Sequence, residues 1–316
     1  MDARKVMIKI SWVITSHNRQ QGFTLVELMV AVTLSLFLLA GVAVLYLNTF
    51  TAQRDSSAMI TLNDNARTAL TIISRDLRSA GYNNGLPPGS ISQNGLTVTD
   101  DCSGIAAALT PSPAFMAGRA SNDIFGCAAG QTGNYTATDG LPSDWLLFRG
   151  TVGELVNTPL TNTNYLVANT QEGRLFRSAT APLISDDQQV REYQFSLFYL
   201  RDNQLKLTRL ANDALVETTL ANNIEAMRVF LGIDDDGDGQ INRYQGTPAN
   251  TNTWTEQQWN EVQSIKLYLL TTTDQVNNYE DHRTYQMGDI TVQPDGDSRH
   301  RRLASTTIYL YNHAYR

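Results

Sequence analysis

The sequence predicts an α+β protein. A long N-terminal α-helix, transmembrane and then amphipathic, packs on a C-terminal antiparallel β-sheet head. Three observations carry this expectation. No charged residue occurs from Leu28 to Gln53. From Met59 to Leu77 apolar residues recur at spacings of three and four. From Trp145 onward, short apolar runs alternate with turn residues. The chain has 316 residues, 24 Lys+Arg against 31 Asp+Glu and a formal charge of −7. With 42% hydrophobic and 17% charged residues it is too apolar for a disordered chain. The acidic balance argues against a nucleic-acid binder, which needs a basic footprint. Two cysteines cannot build a disulfide-dense scaffold or a four-cysteine zinc site.

The first element runs from Phe23 to Phe50, long enough for a bilayer, which needs about 20 apolar residues in a helix. The competing reading is a buried core helix, but such helices seldom stay apolar all round for this length. Residues 1–22 carry Arg4, Lys5, Lys9 and Arg19 against Asp2, a net +3 that belongs on the cytoplasmic side. The rest of the chain is then exported. No small-residue cleavage site follows Leu47, so the apolar segment is expected to stay in the mature protein.

The junction is more specific. Arg19-Gln20-Gln21-Gly22 is followed by Phe23-Thr24-Leu25-Val26-Glu27-Leu28-Met29, which resembles the type IV prepilin signature. The resemblance implies that a prepilin peptidase cuts residues 1–22 off after Gly22 and methylates the new terminus at Phe23. It also makes Glu27 the fifth-position carboxylate. Met7 is an alternative start, giving a leader from Met7 to Gly22. A carboxylate within an apolar span costs about 2.5–3.5 kcal/mol on insertion scales, so Glu27 needs a partner. No Lys or Arg lies within reach on its helix; the nearest cation is the amine exposed at Phe23, on the same subunit or a neighbour. The resemblance implies the neighbour, whose pairing would set the register of an incoming subunit. The alternative is a carboxylate that snorkels to the interface.

The second element, 51–81, is an amphipathic continuation. Met59, Leu62, Ala66, Ala69, Leu70, Ile73 and Leu77 form a helical stripe, with Arg54, Asp55, Asp64, Arg67, Arg75, Asp76 and Arg78 at other positions. No proline occurs before Pro87, and Gly81 is the expected C-cap. Two helices with a break near Asn48 remain the alternative. Residues 82–144 are Gly-, Pro-, Ser- and Asn-rich and read as loop, with a short strand at Leu96–Val98. Export to an oxidising compartment predicts a disulfide between Cys102 and Cys127, worth about 3 kcal/mol in the chain-entropy model. The third element, the head at 145–316, contains the expected strands Trp145–Arg149, Tyr165–Val167, Arg174–Arg177, Tyr193–Leu200, Gln204–Leu210, Ile224–Leu231, Ser264–Thr271 and Thr306–Tyr311. Arg201-Asp202-Asn203 is a hairpin signal between the fourth and fifth of these.

The run Asp234 to Asn242 reads D-x-D-x-D-G-x-I-N, the first three-quarters of a calcium loop. Asp234, Asp236 and Asp238 hold positions 1, 3 and 5, Gly239 permits the turn, Gln240 offers a backbone carbonyl and Asn242 is position 9. Position 12 is Gln245, where a bidentate Glu is wanted, so a last ligand would come from elsewhere, with Glu256 or Glu261 as candidates. Calcium is the expected cofactor; a plain exposed Asp-Gly turn is the alternative.

Motifs for nucleophilic, phosphate-binding or zinc-dependent catalysis are missing, and the four histidines lie far apart in sequence, so no enzyme is expected. Arg299-His300-Arg301-Arg302 reads as a solvated basic loop. Trp254 and Trp259 are expected to pack against the sheet.

Several stretches resemble the PilW family of type IV pilus assembly proteins. They are Ala66-Arg67 with Ile73 to Tyr82, Ile224–Leu231 with the Asp-Gly loop, Trp259 to Leu270, and Arg301 to Leu310. A head of about 235 residues is large for a major pilin. The resemblance implies a minor pilin that primes or caps the pilus tip through helix packing with other minor pilins and the major pilin. It would sit in the inner membrane with a periplasmic head before assembly, and in the pilus afterwards. The alternatives are a minor pseudopilin of a type II secretion system and a calcium-dependent tip adhesin.

Overall fold

The computed structural model describes residues 22–99, 101, 107–119, 143–184, 187–248, 251–276, 279–294 and 296–312. The leader through Gln21 and both cysteines, with the expected Cys102–Cys127 bridge, lie outside these residues. The chain divides into two compact units, residues 1–54 and 55–316. A long N-terminal apolar helix precedes a β-sheet-rich C-terminal domain, as expected.

Helix α1 (Leu25–Arg78) is continuous, so the break near Asn48 does not occur. In the first unit its side chains are exposed along the whole apolar stretch. In the second unit it buries Leu62, Ala66, Ala69, Ile73 and Leu77, the expected stripe at spacings of four and three. Met59 and Leu70 lie at the margin of that stripe, half-buried. The helix stops two residues before Ala80. Gly81, at φ +74°, donates its N–H to Arg149 O at 2.9 Å, and Tyr82 O accepts from Thr151 N at 2.7 Å. The helix end is thus tied to a strand by main-chain bonds. A Cβ on Gly150 of that strand would stand 2.9 Å from Ser79 O, so glycine is what allows this approach.

The larger sheet has the order β1 (Ile91–Ser92), β5 (Gly173–Phe176), β4 (Tyr165–Ala168), β6 (Gln189–Arg201), β3 (Asp144–Val152) and β2 (Phe115–Arg119). Strand β7 (Gln204–Ala211) pairs with β6 and β8 (Ala214–Asn222) with β7. The expected hairpin is present, with Asp202 and Asn203 at φ +52° and +57°. Both are residue types that tolerate left-handed backbone. The second sheet has the order β10 (Arg243–Gly246), β9 (Ile224–Ile233), β11 (Val262–Gln275) and β14 (Arg299–Tyr309), all antiparallel. Hairpin β12 (Tyr285–Met287)–β13 (Ile290–Val292) stands apart. Short helix α2 (Glu256–Asn260) begins at a Thr255–Gln258 capping box.

One core joins the Ile73 face of α1 to both sheets through Phe115, Trp145, Phe198, Val229 and Leu267. Trp259 is buried and meets Phe115 edge-on at 6.1 Å, which is the packing role expected of it. The expected strand at Leu96–Val98 does not form; only Thr99 bridges to Ala214.

The two sheets are also stitched by charge. Arg228 of β9 donates from Nη1 to both carboxylate oxygens of Asp144 on β3, at 2.9 and 2.8 Å, with both side chains buried. Desolvation pushes the Asp144 carboxyl up to about 6 against the pull of Arg228. The basic run at 299–302 is not a solvated loop. It opens β14, and Arg301, 2% exposed, donates to Glu225 Oε2 at 2.6 Å and Oε1 at 3.0 Å. Buried ionised groups need such partners, which explains why a sequence-level basic patch is consumed in the interior.

Candidate assembly helix and acidic loop

Two regions carry the expected functional residues, one in each unit. In the first unit Phe23 follows Gly22 in exposed, non-helical backbone, with 86% of its surface free. Thr24 is the N-cap residue of α1. Its N–H and hydroxyl each donate to Glu27 Oε2 at 2.9 Å, and Glu27 N–H donates back to Thr24 Oγ1 at 3.2 Å. This is a capping box, and it gives Glu27 a local partner besides the Phe23 amine that the sequence points to. The pattern Thr-x-x-Glu ahead of an apolar run was the signal available. The box satisfies helix-terminal donors and leaves the carboxylate exposed.

Beyond Glu27 the helix is long and apolar enough to cross a membrane. Its serine and threonine hydroxyls are satisfied internally. Thr33 donates to Met29 O at 3.0 Å, Ser35 to Ala31 O at 2.6 Å, Thr49 to Leu45 O at 2.8 Å and Thr51 to Leu47 O at 3.1 Å. In hydrocarbon an unpaired hydroxyl has no water to turn to, so this back-bonding is what a lipid-facing helix requires.

In the second unit the acidic loop joins β9 to β10. The carboxylates of Asp234, Asp236 and Asp238 bring one oxygen each within 4.8 Å of one another. Asp234 is buried at the strand end. Desolvation raises its carboxyl, but N–H bonds from Gly239 at 3.0 Å and Gly237 at 2.7 Å outweigh it and hold the group below its usual range. Gly237 and Gly239 adopt φ +74° and +83°, which the turn requires. Asp235 is turned away and paired with Arg243.

Other expected ligands are placed differently. Asn242 Oδ1 accepts from Asp235 N at 2.8 Å, and its amide nitrogen faces Asp236 Oδ2 at 3.3 Å, so it braces the loop. Gln240 N–H donates to Asp238 Oδ1 at 2.7 Å. Gln245 lies in β10 opposite Leu231, committed to strand pairing. Glu256 accepts from Ser112, and Glu261 Oε1 accepts from Gln257 at 3.3 Å; neither joins the three aspartates. The geometry offers a cation three carboxylate oxygens on one side of an exposed turn.

Residues 190–312 match the model of the Type IV pilus-assembly protein W family, PilW. Residues 17–43 match the prokaryotic N-terminal methylation motif. No curated protein gives a significant match. Among solved structures, the chain is similar to a type IV-like pilin from Thermus thermophilus. Identity is 12%, with a TM-score of 0.39, over 79% of this chain and 97% of that one.

Proposed function

We propose that this PilW-like type IV pilin, a minor pilin of pilus assembly, primes or caps the filament tip by packing its N-terminal helix with those of other minor pilins. The observation that carries the reading is the stretch Leu25–Phe50: an apolar helix exposed on all sides, capped at Thr24–Glu27, directly after Gly22-Phe23. The methylation-motif match falls on the same residues and the PilW match on the head. A side-chain surface of this kind needs lipid or other apolar helices around it.

In this reading the +3 leader stays cytoplasmic, the head crosses to the periplasm, and the chain waits in the inner membrane. Prepilin peptidase removes residues 1–22 and methylates Phe23. That removes four basic groups and one acid, so 24 becomes 20 and 31 becomes 30, a formal charge of −10. Extraction into the filament then exchanges lipid for neighbouring helices, including those of the major pilin. Glu27 faces a cationic N-terminus of a neighbour as it enters. The role is structural, not catalytic.

N-terminal mass spectrometry of the native protein tests the processing step. A methylated Phe23 terminus is expected; an intact leader overturns the account. Glu27→Ala is expected to leave membrane insertion intact and abolish incorporation into fibres. Deletion separates pilus from secretion pseudopilus: loss of twitching is expected, whereas loss of exoprotein secretion alone favours the type II system.

A second reading concerns calcium. The convergence of Asp234, Asp236 and Asp238 supports a calcium ion bound at the loop. At a hundredfold excess over Kd a bound ion stabilises the fold by about 2.7 kcal/mol. Calcium is therefore expected to raise the melting temperature, and Asp236→Ala to remove that rise. A chelator-insensitive melt overturns the site.

A further inference from the structure

The outer face of the β9–β11–β14 sheet has a composition that the fold does not need. Along these strands the inward residues are aliphatic: Val229 and Leu231, Ile265, Leu267 and Leu269, and Ile308 are all buried. The alternate, outward residues are different in kind. Lys266 pairs with Phe230 on one side and Thr307 on the other, so the three stand in one row across the sheet. Tyr268 follows Lys266 on the same face, and its ring meets Phe230 edge-on at 6.2 Å. With Tyr244 they line a groove of about 510 Å³, within the range of small-ligand sites.

Two glycines set the shape of its walls. A Cβ on Gly232 would stand 2.9 Å from the Tyr244 ring, which therefore lies down over β9. A Cβ on Gly288 would stand 2.1 Å from Phe230, so the β12–β13 turn closes in only because that residue is glycine. Gly288 is also at φ +71°. Charge on the floor is not neutralised. Asp289 at the wall is held by Arg228 Nη2 at 2.7 Å. Lys266 Nζ has no carboxylate partner among the described residues. It lies 5.4 Å from the Tyr268 ring centre, and the Tyr268 hydroxyl holds its ammonium charged.

We propose that this groove binds an acidic oligosaccharide, with a sugar face on the exposed Tyr244 ring, Tyr268 and Phe230 as its apolar flank, and a sugar carboxylate at Lys266. An aromatic face accepts the apolar C–H face of a pyranose, and the half-exposed Lys266 ammonium, without a protein carboxylate beside it among the described residues, favours a sugar carboxylate. The exposed Thr307 hydroxyl supplies a polar contact for ring hydroxyls, while the Tyr244 hydroxyl accepts from Ser264 Oγ at 3.2 Å. A protein partner would bury about 800 Å² per side, more surface than this groove offers. The inference stands apart from the assembly role of the N-terminal helix.

The test uses the full chain in detergent, titrated with trigalacturonate and, separately, with maltotriose, and followed by saturation-transfer NMR. Saturable binding of trigalacturonate is expected, with maltotriose at least fivefold weaker. Lys266→Gln should weaken trigalacturonate binding at least fivefold and Tyr244→Ala at least tenfold, both at unchanged melting temperature. Thr307→Tyr, which fills the slot from its exposed edge, should block binding and covers the case where Tyr244→Ala disturbs the fold. Failure of both sugars to bind, equal binding of the two, or binding indifferent to all three variants overturns the proposal. On assembled fibres, Lys266→Cys should react with a charged maleimide above the wild-type background. Protection there shows a subunit seated on the face and also overturns it.

Discussion

The two parts of α1 share one backbone and differ in what their side chains meet. From Leu25 to Phe50 the helix is apolar on every side and exposed on every side; Leu36 has 60% of its surface free. From Asp55 to Arg78 only one stripe is apolar, and Ile73 within it has no exposed surface. Each part also holds a carboxylate. Glu27 is exposed and held by its own N-cap, Thr24. Asp76 is 6% exposed and held by Arg209, 133 residues away on β7. The difference teaches where each part finds its solvent. The second part is completed by its own chain; the first part is completed only by something outside it, lipid or other helices.

The comparison breaks if the wrong part responds to a substitution. Ile73→Ala leaves a cavity in the head, and the expected cost is about 2–5 kcal/mol of unfolding free energy. It should leave membrane extraction behaviour unchanged. Leu36→Ala should change head unfolding by less than about 0.5 kcal/mol. Denaturant unfolding of the full chain in detergent reads both; a large effect at Leu36 would show that the first part is tertiary structure after all.

Leu36→Asp probes the other side. A carboxylate mid-span costs about 2.5–3.5 kcal/mol of insertion, so a larger share should be released by alkaline extraction. The head should melt as before.

Asp76→Ala comes next in size. It removes a carboxylate from Arg209, which is itself 37% exposed and can turn to water, so the expected loss is about 1–2 kcal/mol. The double variant with Arg209→Ala should lose less than the sum of the two single losses, read by a double-mutant cycle.

Much of this was legible in the sequence, for physical reasons that also mark where legibility ends. The Leu62–Leu77 stripe and the Tyr193–Leu210 hairpin were visible because period and turn chemistry are local properties. Strand β8 was not, since its burial does not alternate and four consecutive central residues are exposed; it is a strand because β7 offers it an edge. Strand β2, Phe-Met-Ala-Gly-Arg, carries no β-branched residue and lies in a loop-like stretch. Asp76 and Arg301 read as surface charge because Arg209 and Glu225, which hold them in the interior, are remote in sequence. At the acidic loop the three carboxylates were legible from spacing, whereas the bracing role of Asn242 needed coordinates. The Thr24–Glu27 box was legible in the sequence as Thr-x-x-Glu ahead of an apolar run.

The smallest expected difference is in pH. From Leu28 to Gln53 there is no Asp, Glu, His, Lys or Arg, so acid can act on folding only through the head and the two ends of the apolar stretch. In the head, hydrogen bonds from Arg301 hold the Asp297 carboxyl below its ordinary value of 3.8. A carboxylate depressed on folding contributes stability that is present above the unfolded pKa and is lost as pH falls through the lower folded value. The share that Asp297 contributes should therefore be lost as pH falls below 3.8, and not between 7 and 5, where it is the Asp144 carboxyl, at about 6, that protonates. Asp297 is 34% exposed, so solvent screening reduces its share to under about 1 kcal/mol. Thermal melts of wild type and Asp297→Asn at pH 5 and pH 3 should converge as acid removes what the substitution already removed. Membrane extraction at the same two pH values should not change. If extraction shifts with acid while the melts do not, the titrating group is Glu27, and the first part of the helix carries more of the chain's electrostatics than its exposed, self-capped carboxylate implies.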